Sequence, residues 1–241
     1  HMGGALAALA ALPACTAGAV PPQPNRARVT ARPPAGTTTA AAGQRALGLD
    51  ARDAMLRIPP NAGAAPLPLL VLLHGASSSG EIQLGRISAA CDATGLAVLA
   101  PSSRGGTWDA IRGDFGVDPA FIDRALAKAF TLVNVDPRRI VLGGFSDGAT
   151  YALSLGLING DYFARIVAFS PGFVVDGEPH GRPPIYISHG LSDPILPIDK
   201  CSRRIVPALT ARGYDVTFRE FDGVHEIAPA VATEALGWAT R

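Results

Sequence analysis

The run Leu69-Leu70-Val71-Leu72-Leu73 contains no polar residue and stops abruptly in His74-Gly75-Ala76-Ser77-Ser78-Ser79-Gly80. Five apolar residues without alternation mark a strand buried on both faces, not one with a wet side. Such a strand needs a layer on each side, and the rest of the chain supplies one. A helix is expected over about 81–94, then the strand Leu96 to Ala100, stopped by Pro101. Residues 119–133 carry Phe121, Ile122, Leu126, Phe130 and Val133 at helical spacing. The strand Ile140 to Leu142, a helix from Asp147 to about Ile158, and the strands Arg165 to Phe169 and Ile185 to Ser188 follow. A helix over 199–212, the strand Val216 to Phe221 and a helix over 227–240 complete the series. Strand alternating with helix specifies an α/β fold, a mostly parallel central sheet with helices on both faces. Earlier in the chain only Ala54 to Ile58 reads as a strand, so one early strand is expected to be missing.

A chain of 241 residues that is 48% hydrophobic can bury the core of one such domain. Its net charge of +1 and scattered arginines give no reason to propose a nucleic-acid partner. No apolar run is long enough to cross a bilayer as a mature helix.

The N-terminus divides in three. His1-Met2 reads as a tag remnant, and residues 3–20 (GGALAALAALPACTAGAV) are small, apolar and uncharged, as in an export signal. Leu12-Pro13-Ala14-Cys15 resembles a bacterial lipoprotein box, with Cys15 as a possible lipid anchor point. An exported, cell-envelope protein is therefore favoured over a cytoplasmic one. Residues 21–40 are rich in Pro, Thr and Ala and read as a linker, so the catalytic domain is expected over 41–241. Cys91 and Cys201 fall on different helices and are expected to be buried, unbonded thiols.

Chemistry in doubly covered sheets collects at the carboxyl ends of the strands. Three such ends carry reactive side chains. Gly144-Phe145-Ser146-Asp147-Gly148 follows Ile140 to Leu142 and opens a helix. A serine on that turn is exposed on a strained backbone, and the glycines let neighbouring backbones pass close. The alternative for Ser146 is a plain helix cap. Asp193, after the strand Ile185 to Ser188, is the candidate to orient an imidazole, ahead of Asp199 and Asp176, which do not sit at strand ends. An Asp-Pro turn is its alternative role. His225 follows Val216 to Phe221 and is the candidate base. His180 precedes its strand, whereas His74 and His189 lie next to glycines where backbone shaping explains them. An oxyanion would be held by the N–H groups of Asp147 and Ala76, each worth about 3–4 kcal/mol. His74 buttresses the loop that carries Ala76.

The segments LLVLLHGASSSGE, RRIVLGGFSDGATYAL, SHGLSDPILP and FDGVHEI together resemble the phospholipase/carboxylesterase branch of the α/β-hydrolase superfamily, which includes acyl-protein thioesterases. The resemblance covers roughly residues 50–241. It implies an α/β-hydrolase fold and a serine carboxylester hydrolase working through an acyl-enzyme, with Ser146, Asp193 and His225 as triad and with neither metal nor cofactor. Thioesterase or acyltransferase chemistry on the same triad, or a catalytically silent ligand-binding protein, are the alternatives. Asp147 departs from the neutral residue more usual after the nucleophile, and its carboxylate is expected to point away from the oxyanion. Many such proteins insert a cap after the strand matching Arg165 to Phe169. The gap from Ser170 to Pro184 is too short for one, so no cap domain and an open, shallow site are expected. Trp108, Phe145, Ile195 and Leu196 are the expected substrate wall, suited to short-chain or aryl esters and extending to exposed polyester chains.

Overall fold

The structure, a computed structural model, describes residues 26–241. Residues 1–25, and with them the expected export signal and Cys15, lie outside the described residues. Eight strands form one sheet: β1 (Gly43–Ala46), β2 (Ala54–Ile58), β3 (Leu67–Leu73), β4 (Ala97–Pro101), β5 (Val135–Phe145), β6 (Arg165–Phe169), β7 (Ile185–Gly190) and β8 (Val216–Phe221). Their spatial order is β1-β2-β4-β3-β5-β6-β7-β8. The β1–β2 and β2–β4 pairs are antiparallel, and every pair from β4 to β8 is parallel.

No early strand is missing. β1 escaped the sequence reading because it is a four-residue edge strand, Gly-Gln-Arg-Ala, with alternating partial exposure and almost nothing apolar. It pairs with β2 in register Gly43↔Ile58 to Ala46↔Met55.

The helices are α1 (Gly80–Thr94), α2 (Asp109–Arg112), α3 (Val117–Phe130), α4 (Asp147–Ile158), α5 (Ser202–Ala211) and α6 (Pro229–Ala239). The side chains of β3 show why both faces must be covered. Leu69, Val71 and Leu73 pack with α3 and α4 on one face, whereas Leu70 and Leu72 pack with α1 and α6 on the other. All five are at most 1% exposed, and each buried side chain contributes about 1.5–3 kcal/mol. α5 joins the α4 side through Ile205 and Leu209. Cys91, on α1, and Cys201, just before α5, are free and buried on opposite faces. Burial pushes the Cys91 thiol up to about 12, which makes it inert at neutral pH.

The expected linker needs correction over residues 26–40, which pack onto the domain. Arg28 makes a two-pronged ion pair with Asp161 at 2.9 and 2.6 Å. The Val29 amide donates to Asn159 Oδ1 at 2.8 Å, and Asn159 Nδ2 donates to the Ala27 carbonyl at 2.7 Å. The Thr30 and Ala31 amides both donate to Asp123. Asn159 is fully buried, so it needs these partners. Ser170–Pro184 forms neither helix nor strand and leaves the ends of β5 to β8 uncapped.

Candidate active site

Ser146 sits between β5 and α4 with φ 57° and ψ −122°, in a region that side chains other than glycine rarely occupy. The flanking glycines are required by space. A Cβ on Gly144 would lie 2.2 Å from the Gly148 carbonyl oxygen. One on Gly148 would lie 2.3 Å from that of Leu73 and 2.5 Å from that of His74. The tight turn is thus set against the end of β3, and Ser146 projects from it at the top of the sheet.

Ser146, Asp193 and His225 come together from three strand ends. Ser146 Oγ is 2.9 Å from His225 Nε2, and His225 Nδ1 is 2.6 Å from Asp193 Oδ2. Since the carboxylate can only accept, Nδ1 carries the proton and Nε2 faces the serine with its lone pair. Burial pushes the Asp193 carboxyl up. Hydrogen bonds from the Leu196 amide, from His225 and from the Ile195 amide outweigh that, so its pKa lies below the ordinary carboxylate value.

A second imidazole stands behind the acid. His189, fully buried, places Nε2 2.7 Å from the Leu196 carbonyl and 3.2 Å from Asp193 Oδ2. Both are acceptors, so Nε2 holds a proton. Burial depresses the pKa of His189, which keeps it neutral, and Nδ1 therefore accepts from Ser202 Oγ at 2.7 Å. Sequence reasoning assigned His189 to backbone shaping. In the fold it gives Asp193 a second donor and ties it to α5.

The candidate oxyanion donors are the Ala76 and Asp147 amides, neither of which has an acceptor among the described residues. The Ala76 loop is held from behind. His74 Nδ1 donates to the Gly75 carbonyl at 2.7 Å, and its Nε2 accepts from the Ser103 amide at 2.9 Å. Burial keeps His74 neutral by lowering its pKa, which both bonds require. The Ser77 amide donates to the Gly106 carbonyl at 2.7 Å. The Asp147 carboxylate accepts from Thr107 Oγ1 at 2.5 Å and is absent from the lining of the cleft at Ser146. The loop 102–108 therefore anchors both the charge beside Ser146 and the loop that carries Ala76.

That cleft has a volume of about 230 Å³ and is lined by Gly75, Ala76, Ser78, Gln83, Arg86, Phe145, Ser146, Ile195 and His225. Phe145 and Ile195 are among these lining residues, and the Phe145 ring lies 4.8 Å from that of His225. Two expected wall residues are not. Trp108 is 1% exposed, stacked between His74 and Tyr151, with its indole N–H donating to the His74 carbonyl at 2.8 Å. It is a core anchor of the Ala76 loop because the tight turn leaves that carbonyl inside, in need of a donor. Leu196 serves through its backbone, holding Asp193, while its side chain turns toward Gly172. Ser78, Gln83 and Arg86 went unrecognised, since polar residues after a strand end look like ordinary solvent contacts.

Two consequences are measurable. Trp108→Phe keeps an aromatic ring but leaves the buried His74 carbonyl unpaired. It should cost about 1–3 kcal/mol in urea unfolding and lower kcat more than it raises KM. The second concerns acid. His74 and His189 have folded pKa values below their unfolded value, so the unfolded chain binds more protons once pH drops below about 6.5. Stability is then expected to fall from pH 7 to pH 5 in thermal unfolding, with His189→Asn showing a smaller fall. Asp193 acts in a lower window. Its stabilisation is present above about pH 3.9 and disappears as pH falls through its depressed folded pKa.

Comparison with known proteins agrees with this architecture. Residues 117–235 match the family model described as phospholipase/carboxylesterase. A protein of Nocardia uniformis subsp. tsuyamanensis named as esterase NocK is 30% identical over 190 residues, 72% of this chain and 54% of its own length. One of Aspergillus oryzae named as feruloyl esterase C is 31% identical over 158 residues, 61% of this chain and 57% of its own. The chain thus spans about half the length of the curated relatives it matches. Among solved structures, esterase PE8 superposes with a TM-score of 0.62 at 23% identity, covering 83% of this chain and 98% of that one. This is the α/β-hydrolase fold. Within it, the matched segment, just under half of the chain, is similar to the phospholipase/carboxylesterase family.

Proposed function

We propose that the protein is a serine carboxylester hydrolase that works through an acyl-enzyme on short-chain or aryl esters. The observation that carries this reading is the continuous chain Ser146 Oγ, His225 Nε2, His225 Nδ1, Asp193 Oδ2, with links of 2.9 and 2.6 Å. As Ser146 Oγ attacks the ester carbonyl, His225 Nε2 takes its proton, and Asp193 stabilises the imidazolium. The Ala76 and Asp147 amides receive the oxyanion. Collapse expels the alcohol, which leaves with the proton from His225. Water then attacks the acyl carbonyl, giving its proton to His225; collapse breaks the bond to Ser146 Oγ, which takes that proton back from His225 as the carboxylic acid leaves.

The small cleft favours a short acyl chain or a single ring. Leu191, Ile195 and Val224, exposed on the loops around Asp193 and His225, offer an apolar rim to a longer ester chain, including one protruding from a polyester. An acyl-length panel of p-nitrophenyl esters and matching thioesters tests the reading. The expected profile peaks at short oxygen esters and falls beyond about six carbons. Faster turnover of long thioesters would replace it with a thioesterase reading, and no turnover of either with a binding role.

A further inference from the structure

The helix α1 carries a feature that ester hydrolysis as such does not use. Gln83 is fully buried and lines the cleft beside Ser146, yet neither Oε1 nor Nε2 has a partner among the described residues. Ser78 Oγ lines the same cleft and is likewise without a partner. Buried polar groups are normally paired, and those that are not call for a ligand or an ordered water. Arg86, less than one turn beyond Gln83, also lines the cleft. Its guanidinium rests 5.4 Å from the centre of the Phe145 ring, and no carboxylate among the described residues pairs with it.

We infer that Gln83, Ser78 and Arg86 form a carboxylate subsite, so that the preferred ester carries a carboxylate at the far end of a short acyl chain. The chemistry of the donors selects the group. The Gln83 amide N–H, the Ser78 hydroxyl and the Arg86 guanidinium all donate, and one of them is charged. A carboxylate only accepts and offers two oxygens to share among them. A neutral acyl chain of the same length leaves the buried amide unpaired, and sites of this kind discriminate strongly against a ligand that lacks the matching polar group. Phe145 and Ile195 line the same cleft and suit the methylenes between the ester and the carboxylate. The volume of about 230 Å³ sets the scale at a half-ester of a short dicarboxylic acid. The remaining acceptor, Gln83 Oε1, is left to bind water or a hydroxyl of the same substrate.

This inference rests on the hydrolase reading above, and the test separates the two. Mono-p-nitrophenyl adipate and p-nitrophenyl hexanoate have equal chain length and differ in the terminal carboxylate. The wild-type protein is expected to favour the adipate in kcat/KM by about tenfold or more at low salt. Gln83→Leu should lower the adipate value about tenfold and the hexanoate value by much less, so that the preference narrows. Arg86→Glu, on the exposed side of the helix and safe for folding, should erase the preference, and high salt should reduce it in the wild type. Equal turnover of both esters by the wild type, or an equal loss of both in Gln83→Leu, would overturn the subsite while leaving the hydrolase intact. If neither ester is turned over, the hydrolase reading fails instead. Calorimetric binding of monomethyl adipate against methyl hexanoate to Ser146→Ala then decides the subsite, with tighter adipate binding supporting it and equal binding rejecting it.

Discussion

Ser146→Ala is expected to lower kcat/KM for a short p-nitrophenyl ester by about 10⁵-fold, leaving only the slow reaction that binding and the oxyanion donors support. The fold should not change. Ser146 caps α4 without a side-chain hydrogen bond to its amides, so alanine removes no capping bond and gives up only the partly exposed contact with His225 Nε2. Alanine keeps the Cβ and with it the backbone strain at φ 57°, so unfolding in urea should stay within about 1 kcal/mol of wild type. A large activity loss with unchanged stability distinguishes a nucleophile from a helix cap.

Asp193→Asn should cost almost as much, about 10⁴-fold in kcat, and for a more specific reason. Oδ1 accepts from the Ile195 and Leu196 amides, while Oδ2 accepts from His225 and faces His189 Nε2. Asparagine has one acceptor oxygen for these two jobs. If it serves the amides, its NH₂ faces His225 Nδ1, the imidazole adopts the other tautomer, and Nε2–H points at Ser146. The base is then occupied by a proton. Turning the amide over restores Nδ1–H but sets the NH₂ against two backbone N–H groups, destabilising the loop. Activity of the variant should therefore stay low at every pH between 6 and 9. A variant within tenfold of wild type would show that His225 is oriented by something else.

The sequence exposed the parts of this site that depend on local pattern. Ser146, Asp193 and His225 were legible because each lies within a few residues of a strand's carboxyl end, and parallel strands deliver those ends to one edge. The glycines around Ser146 pointed the same way, and the spacing of Gly148 to the Leu73 and His74 carbonyls gives the physical reason for one of them. What stayed hidden depends on partners far off in the chain. Trp108 looked like a wall residue because its acceptor is a backbone carbonyl at His74. Residues 26–40 looked like a linker because Asp123, Asn159 and Asp161, which hold them, are about a hundred residues away. His189 and Gln83 were overlooked because nothing local says that a histidine at a strand end touches Asp193, or that a helix glutamine faces a cleft. Asp147, the odd charge beside the nucleophile, became intelligible only with Thr107 in place as its donor.

Hydrolysis through an acyl-enzyme requires Ser146 to carry the acyl group. The direct measurement is intact-mass and peptide mass spectrometry after treatment with a p-nitrophenyl phosphonate, which mimics the tetrahedral intermediate and stays on the attacking oxygen. The expected result is one adduct per chain, on the peptide that contains Ser146, with stoichiometric release of p-nitrophenol and no labelling of Ser146→Ala. An unlabelled wild-type protein, or an adduct on any other residue that persists in Ser146→Ala, would contradict it.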